Sequence, residues 1–81
     1  MSELDPYTTS DTPFAAFLVY HSHEVVSMQN DKHDRRRKVF IFIKEPRTQE
    51  LEDEFYNNIA EVEPRAYHRA LKEIYRRLND R

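Results

Sequence analysis

Seven residues near the middle of the chain, Lys38-Val39-Phe40-Ile41-Phe42-Ile43-Lys44, decide the fold. Every residue between the two lysines is β-branched or aromatic, and these are the residue types that favour a strand. Pro46 follows shortly afterwards and cannot extend a strand ladder, because it lacks a backbone N–H. The stretch therefore predicts a strand over residues 38–44.

A second strand is predicted before this one. Residues 23–29 (His-Glu-Val-Val-Ser-Met-Gln) favour an extended segment. The polar, charged residues 30–36 separate the two segments, and Asn30-Asp31 can supply turn geometry. Together the two strands predict an antiparallel hairpin with a basic tip.

A first helix is predicted ahead of the hairpin. Asp11 or Thr12 can accept hydrogen bonds from the free amides of a helix start, and Pro13 fits the first helical position because no N–H is needed there. The apolar run that follows extends this helix to about residue 21. The polar residues 1–9 predict a flexible N-terminal tail.

Two more helices are predicted after the hairpin. One begins at Thr48, which can cap it, and stops near Asn57-Asn58, with acidic residues at the positive end of its dipole. The other begins at Pro64 and runs to about residue 79. Its predicted inner face is an amphipathic stripe of Tyr67, Ala70, Leu71, Ile74, Tyr75 and Leu78.

The predicted architecture is of the α+β class. The element order is α-β-β-α-α, with the helices packed on one face of a small antiparallel sheet. Residues 10–81 are expected to form a single compact domain, since 81 residues leave room for no second one.

The composition excludes several classes of function. The chain has no cysteine, hence no disulfide, thiolate nucleophile or cysteine zinc site. A secreted domain of this size usually needs disulfides, so we expect a cytoplasmic location. No apolar run approaches the roughly 20 residues of a membrane-spanning helix. Glycine is also absent, which leaves no phosphate-binding loop or dinucleotide fingerprint.

The histidines do not form a metal-binding pattern. His21 and His23 lie close together, but zinc needs three or four ligands and no second pair is evident. The pair is therefore interpreted as a surface turn. We expect no catalytic residue, no cofactor, no metal and no small-molecule substrate.

Charge is segregated along the chain although the net charge is only -2. Basic residues concentrate in 32–47 and 65–81, and acidic residues in 48–63. Two basic clusters are candidate polyanion-binding sites. The basic loop comprises Lys32, Arg35, Arg36, Arg37 and Lys38, and the basic ridge comprises Arg65, Arg69, Lys72 and Arg76 on the last helix. Two structural readings stay open: opposite blocks can neutralise each other, and any amphipathic helix has a solvated face.

The strand over residues 38–44 is apolar on both faces. Phe40 and Phe42 alternate with Val39, Ile41 and Ile43, so each face needs a cover. The cover is either the rest of the core, a homodimer partner or a ligand. Phe40 and Phe42 are accordingly candidate interface residues.

The order of these segments resembles a domain-of-unknown-function family of very short bacterial, archaeal and phage proteins. The resemblance is carried by Lys-Val-Phe-Ile-Phe-Ile, by an acidic helix ending in Phe-Tyr-Asn-Asn, and by Glu-Val-Glu-Pro before the final helix, and it runs from Thr9 onward. Ser22 and Asn58 stand where the family usually has glycine, so the geometry there carries some strain. The resemblance implies a small stand-alone domain without catalytic residues.

These observations favour a non-enzymatic binding module, of phage or mobile-element type. Its expected partner is nucleic acid or an acidic protein surface, with no membrane contact. The alternative is a protein-interaction module, which is a small inhibitor or accessory subunit that docks on a host protein. This module would act as a homodimer through the hairpin sheet or use the acidic helix 48–58.

Overall fold

The computed structural model describes residues 5–79 and places a three-stranded antiparallel sheet against three helices. The elements in chain order are β1 (Pro6–Thr9), α1 (Thr12–Tyr20), β2 (Val25–Asn30), β3 (Lys38–Ile43), α2 (Thr48–Tyr56) and α3 (Pro64–Asn79). The predicted α+β class and antiparallel pairing are confirmed. None of the helices in the described range combines the length and the apolar composition needed to span a membrane.

The sheet contains one strand more than the sequence pattern predicts. The pattern indicates a tail over residues 1–9, but Pro6–Thr9 pairs antiparallel with β3, with Tyr7 opposite Phe42. The strand order is β1-β3-β2, so β3 lies at the centre. A central strand needs partners for the backbone groups on both of its edges, and Tyr and Thr are good strand formers. Residues 1–4 of the predicted tail lie outside the described range.

A tyrosine attaches β1 to the helical layer. The Tyr7 hydroxyl donates a hydrogen bond to Glu52 Oε1 of α2 at 3.0 Å. Burial and this contact with the Glu52 carboxylate raise the pKa of Tyr7 to about 12. The hydroxyl therefore remains a donor throughout the physiological range.

The core is built around α1. Five consecutive residues of this helix, Phe14 to Leu18, are buried, so it is enclosed on every side. Phe40 and Phe42 of β3 are fully buried against it. Of the three covers left open for these two phenylalanines, the structure shows the rest of the core, and their side chains have no exposed surface.

Asp11 connects the start of α1 to the end of α2. Its Oδ1 accepts a hydrogen bond from the Phe14 N–H at 3.2 Å, which confirms it as the cap of α1. Its Oδ2 accepts a hydrogen bond from the Tyr56 hydroxyl at 2.6 Å. Burial and the hydrogen bond to Asp11 raise the pKa of Tyr56 well above its ordinary value. One carboxylate thus holds two helices together.

Two further tyrosines connect α1 to α3 and to Glu63, the residue that precedes α3. The Tyr67 hydroxyl donates a hydrogen bond to the Pro13 carbonyl at 2.8 Å, and the Tyr20 hydroxyl accepts one from the Glu63 N–H at 2.8 Å. Helix α3 begins at Pro64 and ends at Asn79, as predicted.

The start of α2 differs from the prediction. The residue in the cap position is Arg47, and its side chain makes no capping bond. Thr48 is buried, and its Oγ1 accepts a hydrogen bond from the Glu45 N–H at 2.8 Å and lies 2.9 Å from His23 Nε2. His23 is 4% exposed, so the interpretation of His21 and His23 as a surface turn is wrong for His23. The Thr48 hydroxyl therefore forms a hydrogen bond with the buried His23 imidazole instead of capping the first turn of α2.

Among the described residues, Ser22 and Asn58 adopt the left-handed backbone conformation. Ser22, after α1, has φ of 70°, and Asn58, after α2, has φ of 62°. These are the positions where the family resemblance implies glycine. Asparagine enters this region more readily than serine does.

Replacing Ser22 by glycine is expected to stabilise the domain. Relief of the left-handed strain outweighs the greater entropy of glycine in the unfolded chain, for a net gain of about 0.5–1 kcal/mol. Urea unfolding followed by circular dichroism measures the gain. Asn58→Gly is the matched control and should gain less. A Ser22→Gly protein no more stable than the wild type would contradict the expectation.

Candidate polyanion-binding surface

The basic ridge follows the outer side of α3. Successive residues of an α-helix are rotated by about 100°, so Arg65, Arg69, Lys72 and Arg76 fall within an arc of about 60°. Ile74 is fully buried on the opposite side and packs the helix into the core. All four cations are exposed. The helix therefore presents them on one surface.

One carboxylate interrupts the ridge. Glu73 Oε2 lies 2.7 Å from Arg76 Nη2 and 3.1 Å from Arg77 Nε. The hydrogen bond from Arg76 is the main cause that holds the pKa of Glu73 below its ordinary value, and Arg77 contributes to it. Glu73 is therefore ionised at neutral pH and compensates part of the charge at this end of the ridge.

The rest of the ridge carries uncompensated charge. Within residues 5–79, Arg65, Arg69 and Lys72 make no ion pair with a carboxylate. Arg69 and Lys72 line a shallow surface depression together with Glu73 and Arg76. A concave site with cations on its walls suits an anionic group such as a phosphate.

The basic loop is shaped by two aspartates. Asp31 Oδ1 accepts a hydrogen bond from the His33 N–H at 2.7 Å, and Asp34 Oδ1 accepts one from the Arg36 N–H at 3.0 Å. The Arg37 N–H donates to the Asp34 carbonyl at 2.9 Å. Such side-chain turns fix a loop without glycine. The arginine side chains remain outside, and that of Arg36 is 94% exposed although its Nε lies 3.7 Å from Asp34.

The basic loop reaches the C-terminal end of α3 at Leu78, which lies on a different side of the helix from the ridge. Three cations of the loop and the Asp34 carboxylate line one depression together with Leu78, close to the start of α1; the cations are Arg36, Arg37 and Lys38. Lys32 and Arg35 do not line it. Arg65 lies at the far end of the helix, about 20 Å along the axis from Leu78. The candidate residues thus lie at two places on α3, with the loop beside its last turn and the ridge along its outer side.

Comparison with known proteins identifies the family. Residues 5–79 match the family described as Domain of unknown function (DUF5659). The chain belongs to this family. No curated protein and no solved structure matches it. The function of this DUF5659 domain therefore has to be argued from its own surface.

Tyr75 is a half-exposed residue that the sequence pattern places in the core. The amphipathic stripe assigns Tyr75 to the inner face of α3, but its side chain is 50% exposed. At about 100° from the buried Ile74, it lies at the edge of the apolar stripe, beside Lys72. Helical spacing alone could have indicated this exposure, because Tyr75 is about as far around the helix from the ridge as it is from the buried side.

The described part of this DUF5659 domain has no cluster of side chains suited to a metal ion. Across residues 5–79, no group of three or more His, Cys, Asp and Glu side chains could hold an ion. His21 lies near Arg47, and burial together with that cation lowers the pKa of its imidazole. His21 is therefore neutral at pH 7 and adds no charge to the surface.

The pKa of Glu73 tests the geometry of the ridge. The carboxyl group should titrate below its ordinary value of 4.5 in the wild type, and its pKa should rise in an Arg76→Gln/Arg77→Gln variant, which removes both donors. Side-chain carboxyl NMR across an acid titration measures this change. Lys72→Gln removes a cation that makes no ion pair with Glu73 and should move the pKa far less. An identical pKa in the double variant and the wild type would refute the pairing.

Proposed function

We propose that this DUF5659 domain is a non-enzymatic module that binds the phosphate backbone of nucleic acid through the basic loop and the basic ridge. The observation that carries the proposal is the depression shared by Arg36, Arg37 and Lys38 with Leu78, since it brings the basic loop to the same helix that carries the basic ridge. Neither cluster alone exceeds what a solvated helix face or a charged hairpin tip commonly shows.

The length of the ridge suits a nucleic-acid strand. Arg65 and Arg76 are separated by about 16 Å along the helix axis at 1.5 Å per residue. One strand of a B-form duplex carries a phosphate about every 3.4 Å, so the ridge faces about five phosphates. The basic loop adds further cations beside the last turn of α3, near Leu78.

The segregated charge would orient the module on a polyanion rather than attract the whole domain to it strongly. The net charge is -2, so long-range attraction to a polyanion comes only from the basic side. Two acidic residues of α2 contact other parts of the fold, since Glu52 accepts a hydrogen bond from Tyr7 and Glu50 lies 3.7 Å from Arg47. Binding that depends on backbone phosphates falls steeply with salt and has little sequence preference.

A structural role for the same charges makes a different prediction. The C-terminal end of α3 carries partial negative charge, which favours nearby cations whether or not a ligand binds. Under that role, neutralising ridge residues changes stability slightly and leaves affinity unchanged. A cytoplasmic setting and a phage or mobile-element origin complete the proposal.

The double variant Arg69→Ala/Lys72→Ala tests the proposal. Fluorescence anisotropy with labelled DNA and RNA should show weaker binding at low salt, and the slope of log affinity against log salt should fall by about two. Lys44→Ala is the control. This change also removes an exposed cation, but Lys44 lies at the other end of β3, about 20 Å along the strand from Lys38 of the basic loop. Equal affinities for the two variants, or no binding by the wild type at low salt, would overturn the proposal.

The alternative function is a protein-interaction module, and the outer face of the sheet favours it. Val26 is 55% exposed and Ile43 is 37% exposed on this face. Both line a depression with Pro6 and Ile41. Apolar side chains grouped in this way are typical of a protein contact, either with a second copy of the chain or with a host protein.

Sedimentation equilibrium tests the homodimer form of this alternative. If the sheet face pairs with a second copy, the wild type should dimerise and Ile43→Asn should weaken the dimer at least about tenfold, because it places an amide in an apolar contact. Ile59→Asn is the matched control, since Ile59 is 66% exposed in the loop after α2. A monomeric wild type at high concentration would exclude the homodimer.

A further inference from the structure

Tyr75 differs from the other tyrosines of the chain. The hydroxyl groups of the other four each form a hydrogen bond within the fold; these are Tyr7, Tyr20, Tyr56 and Tyr67. Within residues 5–79, the Tyr75 hydroxyl has no hydrogen-bond partner and its ring packs on no other aromatic ring. Neither a hydrogen bond nor a ring contact within these residues therefore accounts for an aromatic side chain at this half-exposed position.

On the surface of α3, Tyr75 lies between Lys72 of the ridge and Leu78, which is beside the basic loop. Lys72, three residues earlier, is its neighbour on the helix surface and belongs to the ridge. Leu78, three residues later, lines the depression that Arg36 and Arg37 also line. An anionic strand that contacts the ridge and the loop would therefore pass over or beside this ring.

An exposed aromatic ring inside a basic track has a specific use in nucleic-acid recognition. Any base can stack on such a ring, because every base has a π-face, and cations on either side can hold the neighbouring phosphates. Stacking requires a base that is not already stacked in a duplex. A helix side bearing both cations and an aromatic ring therefore distinguishes single strands from duplexes.

Resting on the proposed function, we infer that the surface selects single-stranded nucleic acid. One base stacks on the ring of Tyr75, with phosphates held by Lys72 on one side and by the basic loop on the other. The ligand class is a single strand of DNA or RNA, since stacking does not discriminate between them.

Binding to three labelled probes of equal length tests the inference: a single strand, a duplex and an abasic strand, which keeps its phosphates but has no bases. Tyr75→Ala should weaken binding of the single strand roughly five- to a hundredfold. Its affinities for the duplex and the abasic strand should stay within about twofold of the wild type, because phosphate contacts alone support them. Tyr75→Phe keeps the ring and should retain binding of the single strand.

Intrinsic fluorescence gives an independent measurement. The chain has no tryptophan and five tyrosines, so its emission comes from tyrosine alone. Stacking of a base on Tyr75 should quench part of that emission. The quenching should be absent with the abasic strand and absent from Tyr75→Phe, which still binds.

The outcomes separate this inference from the proposed function. If the wild type binds none of the probes at low salt, both fall. If it binds all three equally and Tyr75→Ala changes nothing, only the stacking inference falls. Equal losses on the single strand and the abasic strand would indicate a structural effect and also overturn it.

Tyr75→Leu, which preserves apolar bulk without a π-face, should match Tyr75→Ala, and urea midpoints verify that each variant folds. Parallel DNA and RNA sets show which strand is preferred.

Discussion

The burial of α1 on all sides is the constraint on which the other elements depend. Five consecutive side chains of this helix, Phe14 to Leu18, are excluded from water, so other elements must enclose it completely. The sheet, α2 and α3 provide that enclosure, and tyrosine hydroxyls join α2 and the start of α3 to the two ends of α1. Because α3 turns its apolar stripe towards α1, its opposite side faces solvent. The basic ridge is exposed for this reason.

Features set by neighbouring residues could be predicted from the sequence. The Asp11 cap, the strand at Lys38–Ile43 and the extent of α3 all follow from local chemistry, and the structure confirms them. The left-handed conformations of Ser22 and Asn58 agree with the glycine positions of the family. In each case the deciding interaction spans only a few residues, and the sequence displays it directly.

Features set by distant parts of the chain could not be predicted in this way. Strand β1 is short and polar, and only the unpaired edge of β3 makes it a strand. Thr48 resembles a helix cap, yet a buried imidazole 25 positions away takes its hydroxyl. For the candidate surface, helical spacing predicts which cations share the ridge, but the proximity of the loop to Leu78 depends on the tertiary fold.

The pairing of β1 with β3 has a consequence for folding kinetics. A short loop separates β2 from β3, whereas α1 and β2 intervene between β1 and β3. Closing a longer loop costs more chain entropy, so we expect the β2–β3 hairpin to form first and β1 to dock late. Until β1 docks, one edge of the central strand is open, and such an edge can recruit a strand from another molecule. By closing that edge when they dock, the four residues of β1 protect the folded domain from aggregation.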